Sequence, residues 1–281
     1  MTQKITFTKM HGLGNDFIVI DALTHTLDVA YYTDLALQLC DRHTGIGGDG
    51  IVFVLPSDKA HFKMRIINSD GSEPEMCGNG LRCFAQFVYQ NKLINTPTFQ
   101  VETLAGIKEP SVLENGLIKV DMGIPILERS QIPMLGTPKN TPVINMPITA
   151  HHSNFLMTGV NMGNPHAVIF VDDLKKIDLD TLGTKFEHHP LFPERINTEF
   201  VKIINKQEAR MIVWERGAGK TLACGTGACA VLVAGVLTDK LERTATIHLP
   251  GGPLEINWDA NTNHVIMTGP ATHVFDGTID L

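Results

Sequence analysis

The sequence predicts an α+β protein built from two pseudo-symmetric halves. Each half is expected to be a curved, mainly antiparallel β-sheet or barrel wrapped around a central helix. Three observations predict this. First, "MCGNG" (76–80) and "ACGTG" (223–227) each place a cysteine before Gly-X-Gly at the mouth of an apolar helical run. Second, the residues around them recur at one offset: Cys77 and Cys224 are 147 positions apart, with Asn68 nine before one and Glu215 nine before the other. "LGND", with Asn15, precedes its cysteine by 62, and "MGNP", with Asn164, precedes its own by 60. Third, strand-like runs dominate and helical runs are few.

The elements follow in order. "KITFTKM", "FIVIDA", "GIVFVL", "FKMRIIN", "TFQVET" and "GLIKVDM" read as strands of the first half. "AVIFV", "EFVKIIN", "ARMIVWE", "TATIHL", "LEINW" and "HVIMT" read as strands of the second. Alternation or β-branched content marks most of them. Helices are expected near 33–42, 79–92, 175–186 and 226–239. The last, "GACAVLVAGVL", is apolar all round and should be buried. The proline-bearing stretch 124–150 reads as a linker or edge segment. Expected boundaries are 1–123 plus 269–281 for the half carrying Cys77, and 124–268 for the half carrying Cys224.

Composition narrows the function. The 281 residues carry a net charge of −7, so no basic footprint for nucleic acid exists. No window approaches 18 apolar residues, so no membrane-spanning helix is expected. The amino-terminal stretch lacks the apolar run of a signal peptide, and a cytoplasmic protein is expected. The five cysteines, an odd number, are expected as reduced thiols. Metal is expected to be absent, because neither C-x-x-C nor H-E-x-x-H occurs. His151–His152 and His188–His189 read as surface pairs on strands. "GAGKT" (217–221) is no phosphate loop, because Trp214 stands where glycine is required.

A cysteine at a helix start faces free backbone N–H groups and the positive end of the macrodipole, which favours thiolate and lowers its pKa. The same N–H groups suit a carboxylate. Two such thiols on opposite faces of one stereocentre could remove a proton from one side and return one to the other. That chemistry needs neither metal nor pyridoxal cofactor. Cys40, Cys83 and Cys229 read as core filler. A single Cys-Gly-X-Gly would read the same way; the duplication favours chemistry.

These residues resemble the diaminopimelate epimerase family over essentially the whole chain. The resemblance is carried by "KMHGLGNDF", "DRHTGIGGDG" (41–50), "NSDGSEPEMCGNGLRC" (68–83) and "MGNPHAV" (162–168). It continues through "FPERINTEF" (192–200), "ERGAGKTLACGTGAC" (215–229) and "MTGPATHVFDG" (267–277). It implies that family's fold and a cofactor-free, two-base interconversion of LL- and meso-diaminopimelate. It makes Cys77 and Cys224 the proton donor and acceptor. It assigns Gly78, Asn79, Gly225 and Thr226 to the reacting carboxylate, and Asn15, Asn68, Asn164 and Asn197 to the rest of the substrate. Glu215 would hold the reacting amine, and Arg216 the distal carboxylate, for which a guanidinium is suited. His166 and Glu215 would assist the amine or the thiols. Read without the resemblance, Asn15 and Asn164 could simply form turns, Asn197 could begin a strand, and Glu215 and Arg216 could form a surface pair. His11 and His43 receive no role.

Gly50 stands where many family members carry glutamine, and Phe275 where tyrosine is common in a region used for dimer contacts; a homodimer is implied. Three alternatives remain open. A proline or hydroxyproline racemase would share the thiol chemistry, though Asn79 and Arg216 fit a substrate with two amino-acid ends. A thiol-disulfide protein would bond Cys77 to Cys224. A diamino-acid binding protein would need no thiols.

Overall fold

The computed structural model describes residues 4–23 and 28–280. The chain divides into two compact units, Met1–Asp121 with Thr268–Leu281, and Met122–Met267.

The first unit holds strands β1 (Lys4–Gly12), β2 (Asn15–Asp21), β3 (Gly50–Leu55), β4 (Phe62–Asn68), β5 (Val101–Thr103), β6 (Gly106–Lys108), β7 (Ser111–Val112), β8 (Ile118–Asp121) and, from the chain's end, β18 (Thr272–Asp280). Seven of these form one sheet in the order β18-β1-β2-β3-β4-β5-β6. Pairing is antiparallel except for β2–β3 and β4–β5. β2 and β3 are buried on both faces, which explains their unbroken apolar runs. Ile18, Ile20, Ile51 and Phe53 join a cluster around helix α1 (Tyr32–Leu39), where Tyr32 stacks on Phe53 with ring centroids 4.0 Å apart. Helix α2 (Gly78–Gln90) packs on β1, β2 and β3 and is buried from Gly78 to Val88.

The second unit repeats this plan. Its strands are β9 (Met146–Ala150), β10 (Ser153–Asn161), β11 (Pro165–Phe170), β12 (Asn197–Asn205), β13 (Glu208–Glu215), β14 (Gly219–Lys220), β15 (Thr244–Leu249), β16 (Gly252–Trp258) and β17 (Val265–Gly269). The order runs β17-β16-β15-β13-β12-β11-β10-β9, with β14 on β13. Parallel pairs recur at the matching places, β11–β12 and β13–β15. Registers match as well: Phe17 pairs with Gly50 in the first unit, and His166 with Asn197 in the second. Ala167, Ile169 and Phe200 join the core around helix α3 (Leu179–Glu187), whereas α4 (Gly225–Leu237) packs on β10, β11, β12, β15 and β16.

Four local readings change. The third helix is split: Leu174–Lys176 forms a 3-10 turn, and α3 begins after Asp178, whose side chain accepts from Thr181 N–H. His151 and His152 form the turn of the β9–β10 hairpin, with φ of 46° and 64°, rather than a strand. The other pair also lies off the strands: His188 is the C-cap of α3, and His189 follows it. Finally, 124–150 is more than a linker, because Ile132, Met134, Val143 and Ile148 are core residues. Its prolines interrupt the strand pattern without preventing burial.

Candidate active site

Each cysteine of the repeated motif is the N-cap of its helix, in extended backbone. Glycine at Gly80 and Gly227 lets other groups approach the first turn. A Cβ at Gly80 would meet Ile66 Cδ1 at 2.6 Å, and one at Gly227 would meet Glu199 Oε1 at 2.7 Å.

Around Cys77, the sulfur accepts from Gly80 N–H at 3.4 Å and lies 3.9 Å from Asn15 Oδ1. Asn79 Nδ2 donates to the same oxygen at 2.9 Å, and Asn15 Nδ2 donates to Asp49 Oδ2 at 2.6 Å. Arg82, wholly buried, donates to Asn79 Oδ1 at 2.7 Å and to the carbonyls of Gly78 and Pro270. A polar chain therefore fixes Asn79 and Asn15 beside the sulfur. Asp49 also accepts from Arg42, which bridges to Asp16. Asn68 stands at the end of β4 with Nδ2 on Ser72 Oγ at 3.0 Å. Gly50 pairs with Asn68 across β3 and β4, and a Cβ there would meet Ile67 O at 2.7 Å.

Around Cys224, the sulfur lies 3.5 Å from Thr226 Oγ1. His166 and Glu199, both wholly buried, share a 2.7 Å contact between Nδ1 and Oε1. His166 Nε2 lies 3.0 Å from Asn164 Oδ1. His166, Glu199 and Cys224 each bring one polar atom within 4.8 Å of the others. In this arrangement His166 Nδ1 and Glu199 Oε1 are engaged with one another. Glu199 Oε2 is buried without a hydrogen-bond partner.

Glu215 accepts from Thr221 Oγ1. Burial pushes its carboxyl up, opposed by hydrogen bonds from Thr221 and Cys224. Burial also pushes the Cys224 thiol well above the ordinary range, and the charges of Glu215 and Glu199 push it further. This corrects the expectation that a helix start lowers both thiols. At Cys224 desolvation and two carboxylates outweigh the helix terminus. Cys40 and Cys83 are buried, their thiols raised by desolvation to about 11 and about 12; Cys229 is buried as well.

Asn197 begins β12 with its side chain fully engaged: Nδ2 donates to Pro165 O at 2.7 Å, and Oδ1 accepts from Arg216 N–H at 2.9 Å. Buried Glu187 accepts from Trp214 Nε1 at 2.7 Å and Gly217 N–H at 2.9 Å. These bonds pin the backbone that presents Arg216, whose exposed guanidinium reaches Glu194 O at 3.2 Å. Glu215 and Arg216 do not pair. Gly225 is buried at the first helical position and Thr226 is half-buried beside it.

A profile of the diaminopimelate epimerase family matches residues 7–128 and 158–274. The chain belongs to the diaminopimelate epimerase family. It is an enzyme of the isomerase class. It is 53% identical over 278 residues to the diaminopimelate epimerase of Nostoc punctiforme, covering 98% of this chain and 99% of that one. It is also 53% identical over 279 residues to the Moorella thermoacetica diaminopimelate epimerase, covering 98% and 99%. Among solved structures, a PhzF-family phenazine biosynthesis protein of Bacillus anthracis shares the fold at TM-score 0.71 and 16% identity, covering 99% of both chains. A hydroxyproline epimerase of Agrobacterium vitis does so at TM-score 0.67 and 14% identity, covering 99% and 93%.

Among the residues of these networks that escape a reading of the sequence are Glu199, Glu187, Arg82, Asp49 and Thr221. Two leave a signal. Glu199 is a charge inside an apolar strand, and Arg82 a charge inside an apolar helix, positions that require a buried partner. Glu187, Asp49 and Thr221 lie in polar stretches where nothing distinguishes them.

Proposed function

We propose that this chain interconverts LL- and meso-diaminopimelate by a cofactor-independent two-base reaction, supplying lysine and peptidoglycan precursors. The observation that carries the mechanism is the repeated N-cap cysteine on a glycine-rich first turn, at matched places in the two units. One sulfur, as thiolate, takes the α-proton and becomes a thiol. The other, as thiol, gives its proton to the opposite face of the resulting carbanion and becomes thiolate. Backbone N–H groups at Gly78, Asn79, Gly225 and Thr226 hold the carboxylate and stabilise charge that grows there as the proton leaves. Asn15, Asn68, Asn164 and Asn197 shape the pocket for the remainder, Asn197 through the backbone of Arg216. Glu215 receives the reacting amine, Arg216 the distal carboxylate, and His166 assists the Cys224 side.

Each half, 1–123 with 269–281 and 124–268, supplies one thiol in this scheme. The protein acts in the cytoplasm as a homodimer, and exposed Val274 and Phe275 on β18 supply part of the contact. Light scattering on a size-exclusion column tests the dimer.

The function is tested by proton NMR of freshly reduced protein with LL-diaminopimelate in D2O, without added cofactor. Deuterium entering one α-position, with meso product appearing, supports the proposal. Cys77→Ser and Cys224→Ser each should lower turnover at least about 100-fold, the scale of a lost acid or base. No exchange would move the assignment to proline-type substrates, and to a binding role if those also fail; full turnover by Cys77→Ala would refute the two-thiol mechanism.

A further inference from the structure

The two cysteines occupy equivalent places, but their surroundings are not equivalent. In the shared register, His166 corresponds to Phe17 and Glu199 to Val52, since each pair sits at the same steps of the parallel ladders β2–β3 and β11–β12. Phe17 and Val52 are buried apolar residues. Among the described residues, only the Cys224 half carries a buried imidazole–carboxylate pair beneath its helix start.

A cysteine next to a histidine ordinarily favours a thiolate–imidazolium pair. Here the imidazole has another partner. Its Nδ1 is 2.7 Å from Glu199 Oε1, and its Nε2 faces Asn164 Oδ1. Both ring nitrogens face oxygens, so the Nδ1–Oε1 contact carries a proton whichever atom owns it. Gly227 gives Glu199 its access: a Cβ there would lie 2.7 Å from Oε1 and 3.2 Å from Cys224 Sγ. The other groups facing the sulfur are Glu215 from β13 and, from its own helix, Thr226 and the Gly227 N–H, which favours the thiolate. None carries a formal positive charge.

We propose that Glu199, held by His166 with its polar atom within 4.8 Å of the Cys224 sulfur, keeps Cys224 protonated through its negative charge, making this cysteine the proton donor in the substrate-free protein. Without the carboxylate, one of the two negative charges beside the sulfur is gone, and the thiolate forms more readily. The consequence for turnover rests on the epimerase assignment above; the state of the sulfur does not.

The experiment is a pH titration of ultraviolet thiolate absorbance in the substrate-free protein, with and without Cys224→Ser, so that the difference isolates Cys224. In the wild type the Cys224 signal should titrate above the ordinary thiol value of about 8.5. In Glu199→Gln it should move down by at least about one pH unit, a ~10-fold gain in thiolate fraction below the midpoint. Glu199→Asp, which keeps the charge, should stay near the wild type. The alkaline limb of kcat/KM should move down with the Gln variant, because both thiols are then ionised. A Cys224 titration at or below about 8.5 in the wild type would overturn the proposal even if no variant folds. So would an unmoved or upward-shifted titration in Glu199→Gln. A shifted titration in a protein that turns over no diaminopimelate would instead refute the epimerase assignment alone.

Discussion

Gly80 and Gly227 are separated by the same 147 positions as the two cysteines, so one substitution can be made at equivalent points of the two units. Alanine in place of helical glycine stabilises by up to about 1 kcal/mol. At Gly80 the new methyl meets the terminal carbon of Ile66 at 2.6 Å. That carbon can rotate aside at about 0.5–1.5 kcal/mol, so Gly80→Ala should lie within about 1 kcal/mol of the wild type. At Gly227 the methyl meets Glu199 Oε1 at 2.7 Å, an oxygen held by His166 and unable to swing away. Overpacking costs about 1–3 kcal/mol, and the strained charge-assisted hydrogen bond about 1.5–3 more. Net of the helix gain, Gly227→Ala should lose about 1.5–6 kcal/mol. The two tryptophans, Trp214 and Trp258, both lie in the second unit. Urea unfolding followed by tryptophan fluorescence therefore reads the Gly227 variant, and far-ultraviolet circular dichroism the Gly80 variant. If Gly227→Ala unfolds within about 0.5 kcal/mol of the wild type, the buried contact between Glu199 and the α4 first turn is wrong.

Three further outcomes are expected. Phe200→Ala empties the cluster where Phe155 and Phe186 meet it edge-on, and should cost about 3–5 kcal/mol by the same fluorescence assay. Arg82→Leu strips the donor from Asn79 Oδ1 and the Gly78 and Pro270 carbonyls. It should cost about 2–4 kcal/mol and lower turnover as Asn79 and Asn15 lose their alignment, measured by chemical unfolding and steady-state kinetics. For Asp16, burial raises the carboxyl, but Arg42 and Lys9 together hold it below its ordinary 3.8. A depressed folded pKa gives stability that is present above the unfolded value and fades as pH falls through it. Urea midpoints of the wild type and Asp16→Asn should therefore differ at pH 7 and converge on acidification below about 4; a pH-independent gap would refute the ion-pair account.

The strands and helices were legible because their patterns are local. β2 and β3 announce themselves as unbroken apolar runs, and α4 as an apolar helix. The cysteine motif was legible because glycine and cysteine at a helix start leave a short signature twice over. The thiol's state was not legible. It depends on Glu199, 25 positions from Cys224 and brought beneath it by the order of β11, β12 and β13. Nor does a helix start reveal how deeply its cap is buried, and at Cys224 that depth reverses the sign of the shift. The break at Asp178 shows a smaller failure of the same kind. Periodicity ran across Ile177, but a side-chain cap on Thr181 N–H restarted the helix.

The antiparallel ladder from Lys4–Asp280 to His11–Thr272 joins the first strand to the last. During synthesis, the ribosome finishes β1 before any of the second unit exists, and β18 only at the end. The middle unit can fold as soon as it emerges, while the amino-terminal unit waits with one flank of β1 uncovered, an open template for another chain. A chain that lacked only the residues from Thr272 onward would carry a finished second unit beside an incomplete first one. Loss of β18 is thereby felt at β1, in the half that was made earliest.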